Sequence, residues 1–534
     1  MSTRESAVSA VRETQRTPEP RPECGGAGIL RRWVGNVAAR PGDVAIRTRG
    51  RTVTYAELER CAARYRDEFT AVPGTDPVLV LCADPVEIVA AQLAAMAACR
   101  PFAPVSVQTP APRLAALLDQ LRPGIAVVDE PGATVLRRAD PVERPAEDRL
   151  VVSARGLREP SRVPAGGFDP ARWEPAAAAD GADRGYVYFT SGTSGRPKGV
   201  RGSLEAVAHF VDWEIAEFGI TAGTRVSSLT SPGFDAFLRD AFVPLCGGGT
   251  MCVAPRSALA GAGLARWLEA NEIQVLHCVP TVFRTLRPLG LTSAALPALR
   301  TVLLAGETVR PADVRWWRGL FGDAKDLVNM YGASETTMAK LFHRVTAADE
   351  SAERVPVGVG MPGVSVRVLG AARAGDVGEV EITVPFRLLG YLNGDPGGFD
   401  PADPYRHRTG DLGRLREDGE LELLGRLDGM VKVRGLRIEL DDVANVLLRH
   451  PAVHDVHVAV AGADSAAVLR AYVVVTGDPD EKELVRHARG HLPAGMVPDE
   501  IVRVSTLPRT LNGKVDQRRL LAAGAAGGSE GSGR

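Results

Sequence analysis

The hydrophobic pattern changes character twice along the chain. From about residue 28 to 390, short apolar runs of strand length alternate with Ala- and Leu-rich stretches of helical length. Pro77 to Cys82, Gly124 to Val128, Thr250 to Ala254, Val275 to Val279 and Thr301 to Ala305 read as strands, and Leu114 to Leu121 and Leu264 to Ala270 as helices. That alternation predicts an α/β domain with parallel-type sheets. Residues 140 to 183 interrupt it with Pro, Arg, Asp and Ala, which predicts an exposed connection. From about 375 the rhythm shortens: Gly378 to Val384 and Glu420 to Leu424, with the charged turn Arg416-Glu417-Asp418-Gly419, predict hairpins. After Leu427-Asp428-Gly429 a helix is expected near Asp441 to Arg449, strands near Val456 to Val460 and Arg470 to Val475, and a helix near Glu481 to His491. The expected division is a disordered tail over 1–27, a large domain over 28–427, a small α+β domain over 428–522 and a disordered tail over 523–534. No internal repeat is visible.

Composition narrows the class. With 534 residues, 45% of them hydrophobic and 24% charged, the chain can bury more than one core. A net charge of −1, with no basic stripe, argues against a nucleic-acid partner. The first 22 residues mix Arg with Glu and hold no apolar segment, so no secretory signal is expected. Val86 to Cys99 is interrupted by Glu87 and Gln92 and is too short to span a bilayer, so it reads as a buried helix. Seven cysteines without a C-x-x-C pair suggest a reducing cytoplasm, and a monomer is expected.

Candidate chemistry begins at Tyr188 to Gly199. The buried-strand run Tyr186-Val187-Tyr188-Phe189 leads into Thr190, Ser191, Gly192, Thr193, Ser194, Gly195 and, beyond Arg196-Pro197, Lys198. Glycines let backbone N–H groups approach an anion, the hydroxyls can donate to it, and the lysine adds a point charge. The loop is not a Walker A sequence, because Gly199 follows the lysine.

Further segments accompany it in order: Val53-Thr54-Tyr55-Ala56-Glu57-Leu58, Gly233-Phe234-Asp235-Ala236, Asn329 to Thr337, Arg408-Thr409-Gly410-Asp411, Gly425 to Asp428 leading into Lys432 to Glu439, and Asn512-Gly513-Lys514-Val515-Asp516. Together these resemble the motif series of adenylate-forming enzymes, and most closely the free-standing adenylation domains of the nonribosomal peptide synthetase type. The resemblance covers roughly residues 28 to 520. It implies a large N-terminal domain with parallel-type sheets, helices and a small distorted β-barrel, plus a small mobile C-terminal domain hinged at Asp428.

The reaction it implies joins a carboxylate to ATP, with Mg²⁺, and passes the acyl group to a thiol. Two anions then meet at the α-phosphate, so positive charge must be concentrated there. Lys514 is the implied catalytic cation. Glu335 offers an oxygen ligand for Mg²⁺, and Ser334 a bond to phosphate. Asp411 fits the ribose hydroxyls, Asn329 and Tyr331 the adenine, and Arg426 the nucleotide; Gly306 is a further implied ATP-binding position. Gly435 leaves room for a phosphopantetheine arm. Departures from the family pattern are Leu423 for an aromatic, Ala333 for a proline and Ala444 for a glutamate.

Asp235 marks amino-acid-activating members, where it binds the substrate ammonium. The remaining pocket positions are Ala236, Arg239, His277, Leu303, Ala305, Met330, Met338 and Ala339. Met330 should shorten the pocket, which favours alanine, serine or glycine. Arg239 and His277, if directed inward, would instead hold a polar or acidic side chain, and a β-amino acid is a further alternative. Arg239 could equally pair with Asp240. No carrier-type serine motif follows Lys514, so a separate phosphopantetheinylated carrier protein is the expected partner. An acyl-CoA synthetase and an inactive binding homologue are the competing readings. His450, His454 and His457 cross a helix end into a strand and cannot share one face, so they are read as structural.

Overall fold

The computed structural model describes residues 25–139, 150–153, 168–173, 185–190, 197–259, 261–394, 398–427, 431–433, 436–438, 440–461, 468–508 and 520. Two large sheets dominate. One has the order Val359–Gly360, Leu341–Arg344, Asp326–Tyr331, Thr301–Ala305, Val275–Cys278, Arg225–Ser228, Thr250–Val253, Val44–Thr48, Arg51–Thr54, and is parallel from Asp326–Tyr331 through Val44–Thr48. The other runs Leu150–Ser153, Ile125–Val128, Val78–Leu81, Phe102–Pro104, Gly185–Thr190, Lys198–Ser203, and is parallel except for its last strand.

The alternation within each strand explains the layering. Leu303 points to a core shared with Val78, Val80 and Ile125 of the other sheet, while Val302 and Leu304 point to a second core beside Trp317 and Phe321. Leu79 and Leu81 likewise face a separate core with Leu114, Leu117 and Leu118. Each large sheet is therefore buried on both faces, which is why its strands read as unbroken apolar runs. Helices Gly25–Ala39, Tyr55–Ala71, Pro85–Ala97, Leu204–Phe218 and Ala236–Gly247 supply the layer between the sheets. Thr54 and Glu57 close a capping box on Tyr55–Ala71, and Asp84 caps the buried helix foreseen over Val86 to Cys99.

The expected small barrel is an antiparallel sheet of Ser365–Leu369, Gly378–Thr383, Asp403–Leu415, Phe399–Asp400 and Leu421–Arg426, distorted by register shifts at Glu379/Glu381 and Leu412/Gly413. It packs Val380, Ile382 and Val384 against Tyr331 and Leu341 of the nine-stranded sheet. Further on, helix Leu440–Leu448, strands Val453–Ala461 and Val468–Val475, helix Glu481–His491 and strand Glu500–Arg503 surround a core of their own. Two details differ from the sequence reading. Helix Gly25–Ala39 begins inside the stretch expected to be a tail. Leu150–Ser153, placed in an exposed connection, pairs in parallel with Ile125–Val128, its short apolar run having been hidden by charged flanks. Among the described residues no helix is long and apolar enough to cross a membrane. Cys61, Cys82, Cys246, Cys252 and Cys278 are buried free thiols.

Candidate active site

The strand that precedes the glycine-rich segment pairs antiparallel with the strand that follows it. Thr190 and Lys198 are register partners at the open end of strands Gly185–Thr190 and Lys198–Ser203. Ser191, Gly192, Thr193, Ser194 and Gly195 lie outside the described residues, as do Asp428, Gly435 and Lys514. Gln120 holds the chain just before Lys198 by donating from Nε2 to the Pro197 carbonyl at 2.8 Å. The Lys198 ammonium stands 5.6 Å above the centre of the Tyr391 ring, close enough for cation–π attraction. Tyr391 in turn donates its hydroxyl to Glu335 Oε1 at 2.6 Å. Lys198 and Glu335, at different sheets, are thus joined through a tyrosine that sequence reasoning missed. Its only sequence signal is an aromatic after Gly390 in a polar stretch.

Glu335 sits in the turn Ser334–Thr336, just past strand Asp326–Tyr331. The chain doubles back tightly here: a Cβ on Gly332 would fall 2.1 Å from the Met338 carbonyl oxygen and 2.7 Å from Ala339 Cα. Thr337 and Met338 both take left-handed backbone, with φ of 65° and 58°. Such conformations cost about 1–3 kcal/mol each for residues with side chains, and they persist where surrounding structure enforces them. Tyr186 supports the turn by bonding Thr337 Oγ1 at 2.8 Å. The outcome is that the Met338 N–H points at Asp235 Oδ2, 3.3 Å away.

Asp235 precedes helix Ala236–Gly247 without capping it, beside the exposed ring of Phe234. Burial pushes its carboxyl above the usual range, with Glu335 adding to the effect, although hydrogen bonds from the Met338 and Ala236 backbone and from Ser334 oppose it. An arriving cation would relieve that penalty. The proposed side-chain positions share the inner face of the nine-stranded sheet. His277 is the register partner of Leu303, and Ala305 of Met330, with Met338 and Ala339 in the same core. Gly306, at φ 90°, ends that strand.

Arg239 and His277 are engaged with protein partners. Arg239 donates from Nε and Nη2 to Asp240 Oδ1, both at 3.2 Å, so it follows the pairing alternative. His277 lies between Glu214 Oε1, 2.5 Å from Nε2, and Asp240 Oδ1, 3.2 Å from Nδ1. Burial disfavours its charge, but Glu214 and Asp240 outweigh that and raise its pKa. Asp240 is held low: burial works against its charge, and Arg239, then His277, overcome it. Two carboxylates and two cations close a buried quartet. Glu214 was not among the sequence candidates, and Asp240 entered only as a partner for Arg239.

The nucleotide candidates also meet. Tyr331 donates its hydroxyl to Asp411 Oδ2, and Arg426 Nη1 lies 2.6 Å from Asp411 Oδ1. Asp411 and Arg426 are cross-strand partners, which fixes that pair. Asn329 spends its amide donor on the Pro356 carbonyl at 2.8 Å. Among the described residues no group of three or more His, Cys, Asp or Glu could hold a metal ion, and His450 faces Glu483 at 3.3 Å.

The sequence profile of the AMP-binding enzyme family matches residues 33–392, and that of the AMP-binding enzyme C-terminal domain residues 442–514. A probable non-canonical nonribosomal peptide synthetase of Salinispora arenicola, CymA, is 34% identical over 91% of this chain, and the chain spans 6% of that relative's length. An L-proline–(L-prolyl-carrier protein) ligase of Pseudomonas fluorescens is 33% identical over 64% of this chain and 69% of its own. The solved adenylation domain AlmE of Vibrio cholerae, in complex with glycyl-adenosine-5'-phosphate, has the same fold: its TM-score is 0.79 at 20% identity, covering 96% of this chain and 100% of that one.

Proposed function

Because the chain belongs to the AMP-binding enzyme family, and is an adenylate-forming enzyme of the nonribosomal peptide synthetase type, we propose that it activates a small amino acid as an aminoacyl-adenylate and loads it onto a separate carrier protein. The observation that carries the amino-acid part is Asp235: a carboxyl raised by burial, oriented by the Met338 N–H, and next to Glu335. An ammonium paired with it would turn that destabilised group into a charge-assisted contact in a low dielectric. The ligase from Pseudomonas fluorescens bears, in its own name, both an amino acid and a carrier protein.

In the proposed reaction the substrate carboxylate oxygen forms a bond to the α-phosphorus of ATP. The bond to the bridging oxygen breaks, and pyrophosphate leaves with the electron pair. Thr190, Lys198 and the residues Ser191 to Gly195 receive the phosphates, and Lys514 supplies charge between carboxylate and phosphate. Asp411 suits the ribose hydroxyls, because each carboxylate oxygen has a second lone pair beyond those used by Tyr331 and Arg426. Glu335, an oxygen donor set beside Lys198 through Tyr391, fits a Mg²⁺ ion held by one carboxylate and the phosphates. When bound, that ion neutralises charge on the phosphate oxygens. The small domain then turns at Asp428 to present Gly435; a carrier thiol, giving its proton to solvent, attacks the acyl carbon, and the acyl C–O bond to phosphate breaks so that AMP leaves with the electron pair.

A neutral side chain is favoured over an acidic one because Arg239 and His277 already face Asp240 and Glu214. The test is pyrophosphate exchange across proteinogenic and β-amino acids, with Asp235→Ala alongside. Exchange driven by small α-amino acids and lost in the variant is expected. Exchange supported only by acids lacking an amino group would overturn the reading.

A further inference from the structure

Glu214 holds a buried acceptor that the described residues leave unused. Its side chain is wholly buried, Oε1 receives the His277 Nε2 contact at 2.5 Å, and Oε2 meets no donor among the described residues. It lies one turn beyond Phe210 on helix Leu204–Phe218, whose apolar residues pack in one core with Leu303, Met330 and Met338. His277, its partner, is the register neighbour of Leu303 on that inner face. Through His277, Glu214 therefore meets the same face that carries the side-chain positions of the proposed amino-acid pocket.

A buried carboxylate oxygen left unpaired loses its hydration without a compensating hydrogen bond, so a donor brought by the substrate is favoured there. Two nearby donors, Arg239 Nε and Nη2, both go to Asp240 Oδ1. With His277 protonated, the state its raised pKa favours, the four groups balance: Glu214 and Asp240 against Arg239 and His277. An anionic substrate side chain would meet Glu214 with like charge, and a cationic one would unbalance the quartet. A methyl group would leave Oε2 as it is. A neutral O–H satisfies the oxygen and keeps the balance, and buried Met330 and Met338 favour a short side chain.

We propose that Glu214 is a specificity-determining residue and that the amino acid activated by this chain carries a short side chain ending in a hydroxyl, which donates to Glu214 Oε2. The inference rests on the amino-acid reading of Asp235.

The experiment compares near-isosteric pairs in pyrophosphate exchange: serine against 2-aminobutyrate, and threonine against valine. A site built to bond a hydroxyl rejects the analogue lacking it strongly, so one pair should differ by at least ~100-fold in kcat/KM in favour of the hydroxyl. Glu214→Gln keeps the shape and an oxygen for His277 but can place a donor where Oε2 stood. The preference should then fall at least ~10-fold with the KM for ATP unchanged. Equal or better use of the methyl partner in both pairs overturns the inference, as does an unchanged ratio in Glu214→Gln. If that variant does not fold, the ratios of the unaltered protein decide alone. Exchange with amino acids but no hydroxyl preference sinks this inference only, whereas no exchange with any amino acid sinks the amino-acid reading with it.

Discussion

Tyr391 bonds Glu335 at 2.6 Å while its ring lies under the Lys198 ammonium, so one side chain links a carboxylate beside the nine-stranded sheet to a cation on the six-stranded sheet. Both charges are thereby held at the phosphate end of the proposed site before any ligand arrives.

Tyr391→Phe should keep the ring and remove the hydroxyl. Loss of one hydrogen bond to a charged group is worth roughly 1.5–3 kcal/mol, so kcat/KM for ATP should fall about 10-fold or more. The Mg²⁺ concentration giving half-maximal exchange should also rise. Unchanged Mg²⁺ dependence would detach Tyr391 from the role given to Glu335.

Asp411→Asn removes the charge shared by Tyr331 and Arg426. The KM for ATP should increase roughly 10–100-fold, with a smaller change in kcat once ATP saturates. A fall in kcat at unaltered KM would place Asp411 in the chemical step.

Lys340 is buried, its ammonium near the Phe210 and Phe386 rings at 5.6 and 5.2 Å, with no hydrogen-bond partner for Nζ among the described residues. Burial lowers its pKa from 10.5 to about 7, and Asp235 opposes the shift only partly. Between those values the unfolded chain binds more protons than the folded one, so this group makes stability rise with pH from about 7 toward 10.5. Lys340→Met should raise the Tm most at or below pH 7, with the gain shrinking as pH increases. Parallel Tm curves for the two proteins across that range would refute the assignment.

His343 has the opposite sign. Burial disfavours its charge, but Asp349 at 2.9 Å and Glu420 at 2.7 Å prevail and raise its pKa to about 9 from 6.5. Its contribution is complete below 6.5 and lost as pH climbs through about 9. His343→Gln should cost about 1–2 kcal/mol at pH 6 by denaturant titration. The deficit should close above pH 9; a constant deficit would show that packing, not charge, was removed.

Gly332→Ala places a Cβ 2.1 Å from the Met338 carbonyl. The turn must open, moving the Met338 N–H and Glu335 together, so amino-acid-dependent exchange should drop more than ~10-fold, the scale expected when reacting groups are misplaced. Retained activity would mean that the turn can yield without displacing either group.

The parts of the fold legible in the sequence were those written locally. Val302 to Leu304 reads as a strand because both faces are buried, and the capping box of Thr54 and Glu57 lies within one turn of helix. Leu150–Ser153 was lost because its strand is short and polar residues flank it. Arg239 and Asp240 are adjacent, so their pairing was at least foreseeable. Glu214 lies 63 residues from His277, and Tyr391 lies 56 from Glu335. Those contacts exist only because a helix crosses the sheet and a loop returns to it, and neither fact leaves a periodic trace.

The helix layer between the two large sheets has one more consequence. Val78 and Ile125 of one sheet share a continuous core with Val226, Leu303 and Met330 of the other, so neither sheet can lose its inner packing alone. Heating should melt them in a single cooperative step, visible as one calorimetric peak for the large domain. A substitution on helix Pro85–Ala97, none of whose residues is assigned a chemical task, would then lower the temperature at which Lys198 and Glu335 part company.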